Sequence, residues 1–551
     1  VFYLEKIFHG KKIDKRVLNG LLIILLAGIS VIPAFAGHFY SLSFDGIFHL
    51  DRLANVTQSF KEGKIPSLFN FAYAPVNSQP GVAINAMYPW VSGLIFVVPA
   101  LVVKNQLIAL AIGFFFMNAL TIINAKALMS FFTKRDLYIW LGVIVYQFNN
   151  FHFVDLYSRT AIGEAFGYAW MPLVLLGLLK IKEHSKVGPW ILGFAVGMII
   201  NSHVLSIVFA VIFIGLFELL QIIKRNFDLT HVKNLLIAVL VAILIGGYTL
   251  YNIAMLYLNA KFLEPGHFLV SIDPVQFFDA LIQNDMSEKP YWTYGLPLVL
   301  VQLVLTVIAW NTDKFSEWKS WLVGANIVTL LMFSWLPWDK LQSTPLTLLQ
   351  FLARLQVIIV LLLTVAIVIY FARSKQNKQY KILILELFVC LFSLVGTYQM
   401  HRAYVQTPPH YNLTSKNYYH TLNTAMTAID YLPVDKATGK PMGVGDSVKT
   451  FSTDNYKEIK RTSDSVEYLI TTSKSQTVTL PAVMYDGFKY DILLDGKNVN
   501  SQMTNLVKIN VSEGKHTLVL KTVDSRNYAL FYLSMLSIII TTLVMLKLKR
   551  Y

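Results

Sequence analysis

Asp45, His49 and Arg52 stand at i, i+4 and i+7 in the stretch S-F-D-G-I-F-H-L-D-R-L at 43–53. On a helix that spacing puts an acid, an imidazole and a guanidinium on one face. An acid so placed can take the proton of an acceptor hydroxyl, and a guanidinium can hold a phosphate through two parallel hydrogen bonds. Ile47, Leu50, Val56 and Phe60 supply apolar surface elsewhere around the same helix, and Gly63 and Pro66 predict where it stops. The plainer reading is an interfacial helix whose polar face is simply wet.

Further ionisable residues stand at the ends of apolar runs. Arg159 and Glu164 lie in D-L-Y-S-R-T-A-I-G-E at 155–164, His203 follows Asn201 and Ser202, and Arg354 sits a few residues into an apolar segment. Charges at membrane depth mark functional sites by default, less strongly at span ends where long side chains reach the interface. All of them fall on the predicted outer face, so one extracytoplasmic site is expected. The chain has no P-loop, no dinucleotide-binding glycine pattern, no H-E-x-x-H and no C-x-x-C. A cytosolic nucleotide is therefore not expected as the direct substrate, and a lipid-phosphate donor fits better. Asp45 would be the base, with His49 beside it. No cofactor is evident, and a lone Asp with His at i+4 is a thin basis for a metal site that leaves a divalent cation open.

The elements that carry these residues follow from composition. Of 551 residues 55% are hydrophobic and 14% charged, and the mean hydropathy is +0.53. Many apolar runs approach the roughly 20 residues that cross a bilayer. The expected class is a polytopic α-helical membrane protein. The net charge of +15 is carried largely in short loops, where anionic lipid and the positive-inside bias explain it, and nucleic acid is not expected as a partner. The one cysteine, Cys390, excludes an intrachain disulfide.

Residues 18–35, preceded by Lys11, Lys12, Lys15 and Arg16, read as an uncleaved anchor running outward. Basic clusters at 180–186, 224–225, 373–378 and 547–550 mark the cytoplasmic ends of later runs. Both termini are then cytoplasmic and the crossings number 12 to 14. Two crossings between 88 and 133 would put Lys134 and Arg135 outside, against the charge rule, so one re-entrant or interfacial segment or a third crossing is expected there. The domains read as 1–400, transmembrane with an external loop at 41–87; 401–525, an extracytoplasmic α/β region; and 526–551, a last helix with a basic tail. Helical character is expected at 418–431. From 466 onward, V-E-Y-L-I-T, T-V-T-L, K-Y-D-I-L-L, L-V-K-I-N-V and H-T-L-V-L-K alternate in the manner of an antiparallel β-sandwich.

The layout resembles that of the GT-C integral-membrane glycosyltransferases: a first span, an external loop with an acid at its start, then many spans. More narrowly, D-G-I-F-H-L-D-R-L with G-K-I-P, then G-V-A-I-N-A-M-Y-P, R-T-A-I-G-E and N-S-H-V-L-S, resemble the bacterial YfhO-like membrane proteins. That membrane family is also labelled "6-pyruvoyl-tetrahydropterin synthase related", a label this sequence gives no chemical reason to believe. The resemblance implies transfer of a sugar from a polyprenyl-phosphate donor to a cell-envelope acceptor (teichoic acid, polysaccharide or glycolipid) outside the bacterial cytoplasmic membrane. The family's loop acid would fall on Asp45. Where many such enzymes pair two acids as D-x-D or E-x-D, this chain has D-x-x-x-H with Asp51 as the next acid, so Asp51 is a candidate assistant. His49, Arg52 and His203 would then position substrate, Arg159 and Arg354 would bind the donor phosphate, and Glu164 would orient one of the arginines. A transporter or flippase of a lipid-linked glycan, and a non-catalytic envelope scaffold, are the alternatives.

Overall fold

The computed structural model describes residues 14–73, 79–289, 292–312, 316–373, 379–405, 410–425, 430–434, 455–499, 502–503 and 506–548. Helices of eight or more residues are α1 (Lys15–Val31), α2 (Phe44–Lys61), α3 (Leu94–Val102), α4 (Gln106–Phe132), α5 (Asp136–Gln147), α6 (Ile162–Lys182), α7 (Gly188–Ile200), α8 (Val204–Ile223), α9 (Leu229–Asn259), α10 (Pro274–Gln283), α11 (Leu296–Trp310), α12 (Glu317–Leu331), α13 (Gln356–Arg373), α14 (Gln379–Tyr404) and α15 (Tyr528–Leu548). Among the described residues eight helices are long and apolar enough to cross a membrane: Lys15–Phe35, α4, α6, α8, α9, Leu352–Arg373, α14 and α15. The apolar helices α7 and α11 have 13 and 15 residues, and at 1.5 Å per residue they reach only about 20 Å of the roughly 30 Å hydrocarbon core. The expected 12 to 14 full-length crossings are therefore not all present as long helices. α7 stops at Asn201, whose side chain turns to Ile245 O and the Thr249 hydroxyl of α9, and α11 stops at Asn311.

Residues 88–133 contain one long helix, not two. In place of a span over 88–103 there is only α3, nine residues with Pro99 inside. It packs on α4, and α4 alone makes the return. Lys15 Nζ and Asp136 Oδ2 lie 2.7 Å apart, so the start of α1 and the start of α5 share one end of the bundle. Lys134 and Arg135 stand at that same end. The basic residues Lys11, Lys12, Lys375, Lys378, Lys549 and Arg550 lie outside the described residues.

Amides join α1, α4 and α5 inside the bundle. Gln147 Nε2 donates to Asn118 Oδ1 (2.5 Å) and Ser30 Oγ (3.2 Å), while Asn118 Nδ2 donates to the Tyr157 hydroxyl (2.8 Å). Interhelical amide bonds of this kind fix helix positions where lipid offers no competing partner.

At the end of the bundle away from Lys15 the chain builds a second layer. Strand β1 (Tyr40–Leu42) enters α2 and pairs antiparallel with a strand from the far end of the sequence. β2 (Leu269–Val270) and β3 (Gln350–Phe351) pair in parallel, and β4 (Tyr411–Leu413) is the partner of β1. The next eight strands are β5 (Tyr456–Arg461), β6 (Ser465–Thr472), β7 (Gln476–Val483), β8 (Tyr490–Leu494), β9 (Lys497–Asn498), β10 (Gln502–Met503), β11 (Leu506–Val511) and β12 (Gly514–Thr522). They form two antiparallel sheets, ordered β5-β6-β12-β8-β9 and β10-β11-β7. Along β6 every second residue (Val466, Tyr468, Ile470) is buried, the period-2 pattern of a half-buried strand. Within 418–431 the helix covers only Tyr418–Thr424; residues 426–429 lie outside the described residues, and Pro433 bridges to Phe262 as extended chain.

The β-region is not a free appendage. Its core is continuous with the loop after α2, where Phe69 and Phe71 pack with Tyr485 and Phe488. Val483 N–H donates to Pro80 O (2.9 Å), Lys64 pairs with Asp464 (3.0 Å), and Arg526 Nε donates to Ile65 O (2.6 Å). Gly81 sits at φ +101°, and a Cβ there would lie 2.4 Å from Val483 O. Both the backbone conformation and the close approach require glycine. Helix α2 is held between bundle and β-region.

Candidate functional site

The first turn of α2 is locked to the 155–160 loop. Ser43 Oγ accepts from Gly46 N–H (3.2 Å), the ordinary N-cap bond, and donates to Arg159 O (2.5 Å). A Cβ on Gly46 would stand 2.6 Å from Leu42 and 2.9 Å from Thr160, so only glycine permits this approach. Residues Val154–Ser158 form a π turn, after which Thr160 takes φ +54°. Its hydroxyl is 2.7 Å from that of Tyr40 in β1, which holds a left-handed residue that would otherwise be costly. The result is that Arg159 is turned back toward Asp45.

Arg159 is almost wholly buried and engages three carboxylates. Its Nη1 donates to Asp155 Oδ1 (3.0 Å) and Glu164 Oε2 (2.8 Å), and its Nη2 to Asp45 Oδ2 (3.3 Å). The indole of Trp292 covers the guanidinium face at 4.3 Å. Burial works against its charge, yet Glu164, Asp155 and Asp45 together hold its pKa above the ordinary value. The same Glu164 Oε2 accepts from Arg354 Nε (3.1 Å). Arg354 Nη1 donates to Leu349 O (3.2 Å) and to Gln350 Oε1 (2.7 Å), where Gln350 is itself held at φ +58°. Arg354 Nη2 has no partner among the described residues. Of these carboxylates Asp45 is the open one, with 43% of its side chain exposed against 0% for Asp155 and 11% for Glu164.

Asp45, His49, Arg159, Glu164, His203 and Arg354 line one cavity of about 470 Å3. Arg52 does not line it but stands behind it: its Nε donates to His49 Nδ1 (3.2 Å), its Nη1 to Pro89 O (3.1 Å), and its guanidinium lies 4.7 Å over the Tyr88 ring. Burial first, then the positive charges of Arg52 and its neighbours, keeps the His49 pKa well below the usual imidazole value. A neutral ring that accepts at Nδ1 carries its proton on Nε2, so His49 is a hydrogen-bond donor. Burial likewise lowers His203 to about 3, and its Nδ1 lies 2.9 Å from Ser206 Oγ.

Asp51 is not part of this constellation. It is one residue off the Asp45 face, lies toward the β-region, and accepts from Asn70 Nδ2 (2.9 Å). Burial raises its pKa well above the carboxylate range, against the pull of Arg461 and Asn70, which favours the uncharged acid. Six helix positions at about 100° each turn Asp51 about 120° away from Asp45, so the structure does not bring it to the cavity that Asp45 lines.

Several residues at the site escape a reading of the α2 face. Asp155 stands at i−4 from Arg159, a pairing the local spacing already offers. Asp430 lines the cavity and Glu288 lies within electrostatic reach of Asp45. Burial first, then Asp45, raises both, Glu288 to about 7. These two come from segments with no local motif, so only the tertiary structure brings them in. Among the described residues no group of three His, Cys, Asp or Glu is placed to hold a metal ion. No protein-family model matches the chain, and no curated protein matches it.

Proposed function

We propose that this chain is a GT-C-like membrane glycosyltransferase that moves a sugar from a polyprenyl-phosphate donor to a hydroxyl acceptor of the cell envelope, related to the YfhO-like bacterial proteins. One observation carries the reading: an accessible carboxylate, Asp45, and Arg354, whose Nη2 has no partner among the described residues, line one cavity at the end of an apolar helix bundle. The eight helices long and apolar enough to cross a membrane among the described residues support a multi-pass protein, and in this reading the cavity faces outward.

In this mechanism Asp45 takes the proton of the acceptor hydroxyl as its oxygen attacks the anomeric carbon. The bond from that carbon to the phosphate oxygen breaks, and the lipid phosphate leaves with the bonding electron pair. Arg354 Nη2 faces the charge that develops on the departing phosphate, where a preorganised donor in a site shielded from water is most effective. Arg159, saturated by carboxylates, holds Asp45 in place. His49 Nε2–H is available to orient a sugar hydroxyl, and Arg52 fixes the tautomer that makes it a donor.

The test uses membranes containing the full chain and a panel of radiolabelled polyprenyl-phosphate sugars. With the competent donor, Asp45→Asn is expected to lower transfer by roughly 10²–10⁴-fold, the usual contribution of a general base. Transfer at the wild-type rate by Asp45→Asn would remove Asp45 as the base. Protein-dependent crossing of a lipid-linked sugar through proteoliposomes, without transfer, would favour the transporter.

A further inference from the structure

Two turns at one end of the β-region bring a serine, a histidine and an aspartate into line. β8 and β9 are joined by Asp495 and Gly496, at φ +49° and +78°, the two-residue turn that suits the twist of a hairpin. Asp495 is tied to β12 beside it: its N–H donates to Thr517 O (2.8 Å) and its Oδ1 accepts from Thr517 N–H (2.8 Å). His516 continues the inward row of Leu518 and Leu520 to the rim of the sheet, where the buried core gives out. Ser512 stands one residue past β11, and Thr472 Oγ1 donates to its carbonyl (2.5 Å).

Asp495 Oδ2 lies 2.7 Å from His516 Nδ1, and His516 Nε2 lies 3.2 Å from Ser512 Oγ. In this order of contacts a carboxylate fixes an imidazole, and the imidazole can take a hydroxyl proton. The chain order Asp, Ser, His is no obstacle, because such sets are recognised by geometry. Fastening the two turns together needs only the Asp495–His516 pair, and the serine on the far nitrogen adds nothing to it. There is room beside that nitrogen. Beyond the chain neighbours of Gly514, the one atom within 4 Å of a Cβ built there would be His516 Nε2, at 3.5 Å. The N–H of Glu513, the residue after Ser512, has no partner among the described residues. That position commonly supplies an oxyanion donor.

We propose that Ser512, His516 and Asp495 form a second reactive site, which hydrolyses small carboxylic esters at the surface of the β-region. Ser512 Oγ bonds to the ester carbonyl carbon as its proton passes to His516 Nε2. The bond from that carbon to the alcohol oxygen breaks, and the alcohol leaves with the proton from His516. Water, deprotonated by the same nitrogen, then releases the acid and restores Ser512. Asp495 is a positioning residue that holds the ring. The flanking Glu513, Lys515 and Lys497 are charged and exposed, so a long acyl chain would find no apolar cover. A short acyl group on a large, water-borne alcohol needs none. None of the three residues lines the Asp45 cavity, and the activity stands or falls apart from sugar transfer.

The probe is a fluorophosphonate, which reacts with activated serine hydroxyls, added to the full chain in nanodiscs, with 4-nitrophenyl acetate as the ester. Mass spectrometry should place the adduct on Ser512, and Ser512→Ala should lose both the adduct and the ester hydrolysis. His516→Gln keeps a hydrogen-bonding side chain but cannot take up a proton. It should slow both reactions by roughly 10²–10⁴-fold without lowering the melting temperature. The hydrogen bond to Asp495 raises the His516 pKa above its ordinary value. A base must be neutral, so labelling should rise with pH through that raised pKa, and Asp495→Asn should move the rise to lower pH. No adduct on Ser512, under conditions that label a known serine esterase, would overturn the proposal. Equal labelling of His516→Gln and wild type would overturn it too and leave only a fastening between turns. So would a pH profile that Asp495→Asn leaves in place.

Discussion

Arg159 and Arg354 share a single oxygen. Glu164 Oε2 accepts from Arg159 Nη1 at 2.8 Å and from Arg354 Nε at 3.1 Å, so one carboxylate holds two guanidinium groups side by side. Two buried like charges repel strongly in a medium of low dielectric, and Glu164 is the counter-charge between them. Glu164→Gln removes that charge while keeping the shape. Breaking a buried pair in this way costs about 3–5 kcal/mol. The variant is expected to melt well below wild type in detergent and to lose transfer, and Glu164→Asp, charged but shorter, should recover part of both. An unchanged melting temperature in Glu164→Gln would show that solvent screens the arginines.

Asp45 and Asp51 separate by environment. Asp45→Asn should lower kcat by roughly 10²–10⁴-fold with little change in KM, since it removes a group that acts only as the proton moves. Asp51→Asn replaces a buried acid already driven toward its neutral form by a neutral isostere. It should leave transfer within about twofold, because surface and isosteric changes away from the reacting atoms are usually small. Steady-state kinetics of the two variants, side by side, check both statements.

Glu288 makes stability depend on pH. Burial, and then the nearby charge of Asp45, raises it from 4.5 to about 7, with Arg159 pulling the other way. Its folded pKa lies above its unfolded one, so between these values the folded state binds more protons and stability falls as pH rises. The full stabilising effect of the protonated form is present below about pH 4.5 and is lost by about pH 7. Glu288→Gln mimics the protonated acid. The melting temperature of wild type, compared with that of Glu288→Gln from pH 4 to 8, should fall through this window by the equivalent of about 3 kcal/mol. Parallel curves would mean that Glu288 is not shifted.

Gly81→Ala tests the seating of the β-region. The new Cβ would meet Val483 O at 2.4 Å, at a φ of +101° that alanine resists. The expected cost exceeds 1 kcal/mol, concentrated where the loop after α2 meets β7. Limited proteolysis should cut the 460–520 segment faster than in wild type while the helices stay protected.

Much of this arrangement was legible in the sequence, for local reasons. The i, i+4, i+7 spacing of Asp45, His49 and Arg52 does put His49 behind Asp45 and Arg52 behind His49, and the alternation in β6, β8, β11 and β12 does give strands. The short α3 with Pro99 inside answers to the re-entrant or interfacial segment expected over 88–133, whereas the expected 12 to 14 crossings exceed the eight helices long enough to span among the described residues. Where the reading failed, the cause was also specific. Glu288 and Asp430 reach Asp45 from loops whose positions depend on partners far away in sequence, and no periodicity encodes that. Asp155, in contrast, was readable as the i−4 partner of Arg159 once the chain between them is taken as helical.

The pairing of β1 with β4 has a consequence for biogenesis. Tyr40–Leu42 leads straight into the helix that bears Asp45, yet its partner strand, Tyr411–Leu413, is synthesised several hundred residues later, and Arg526, which ties down Ile65, later still. At ordinary rates of synthesis the N-terminal segment waits on the order of tens of seconds for those partners. During that time the bundle can insert helix by helix, but the reactive face has no fixed geometry. A ribosome-bound or prematurely terminated chain would therefore lack this geometry, which is completed only when Tyr411–Leu413 and Arg526 dock beside the helix that bears Asp45.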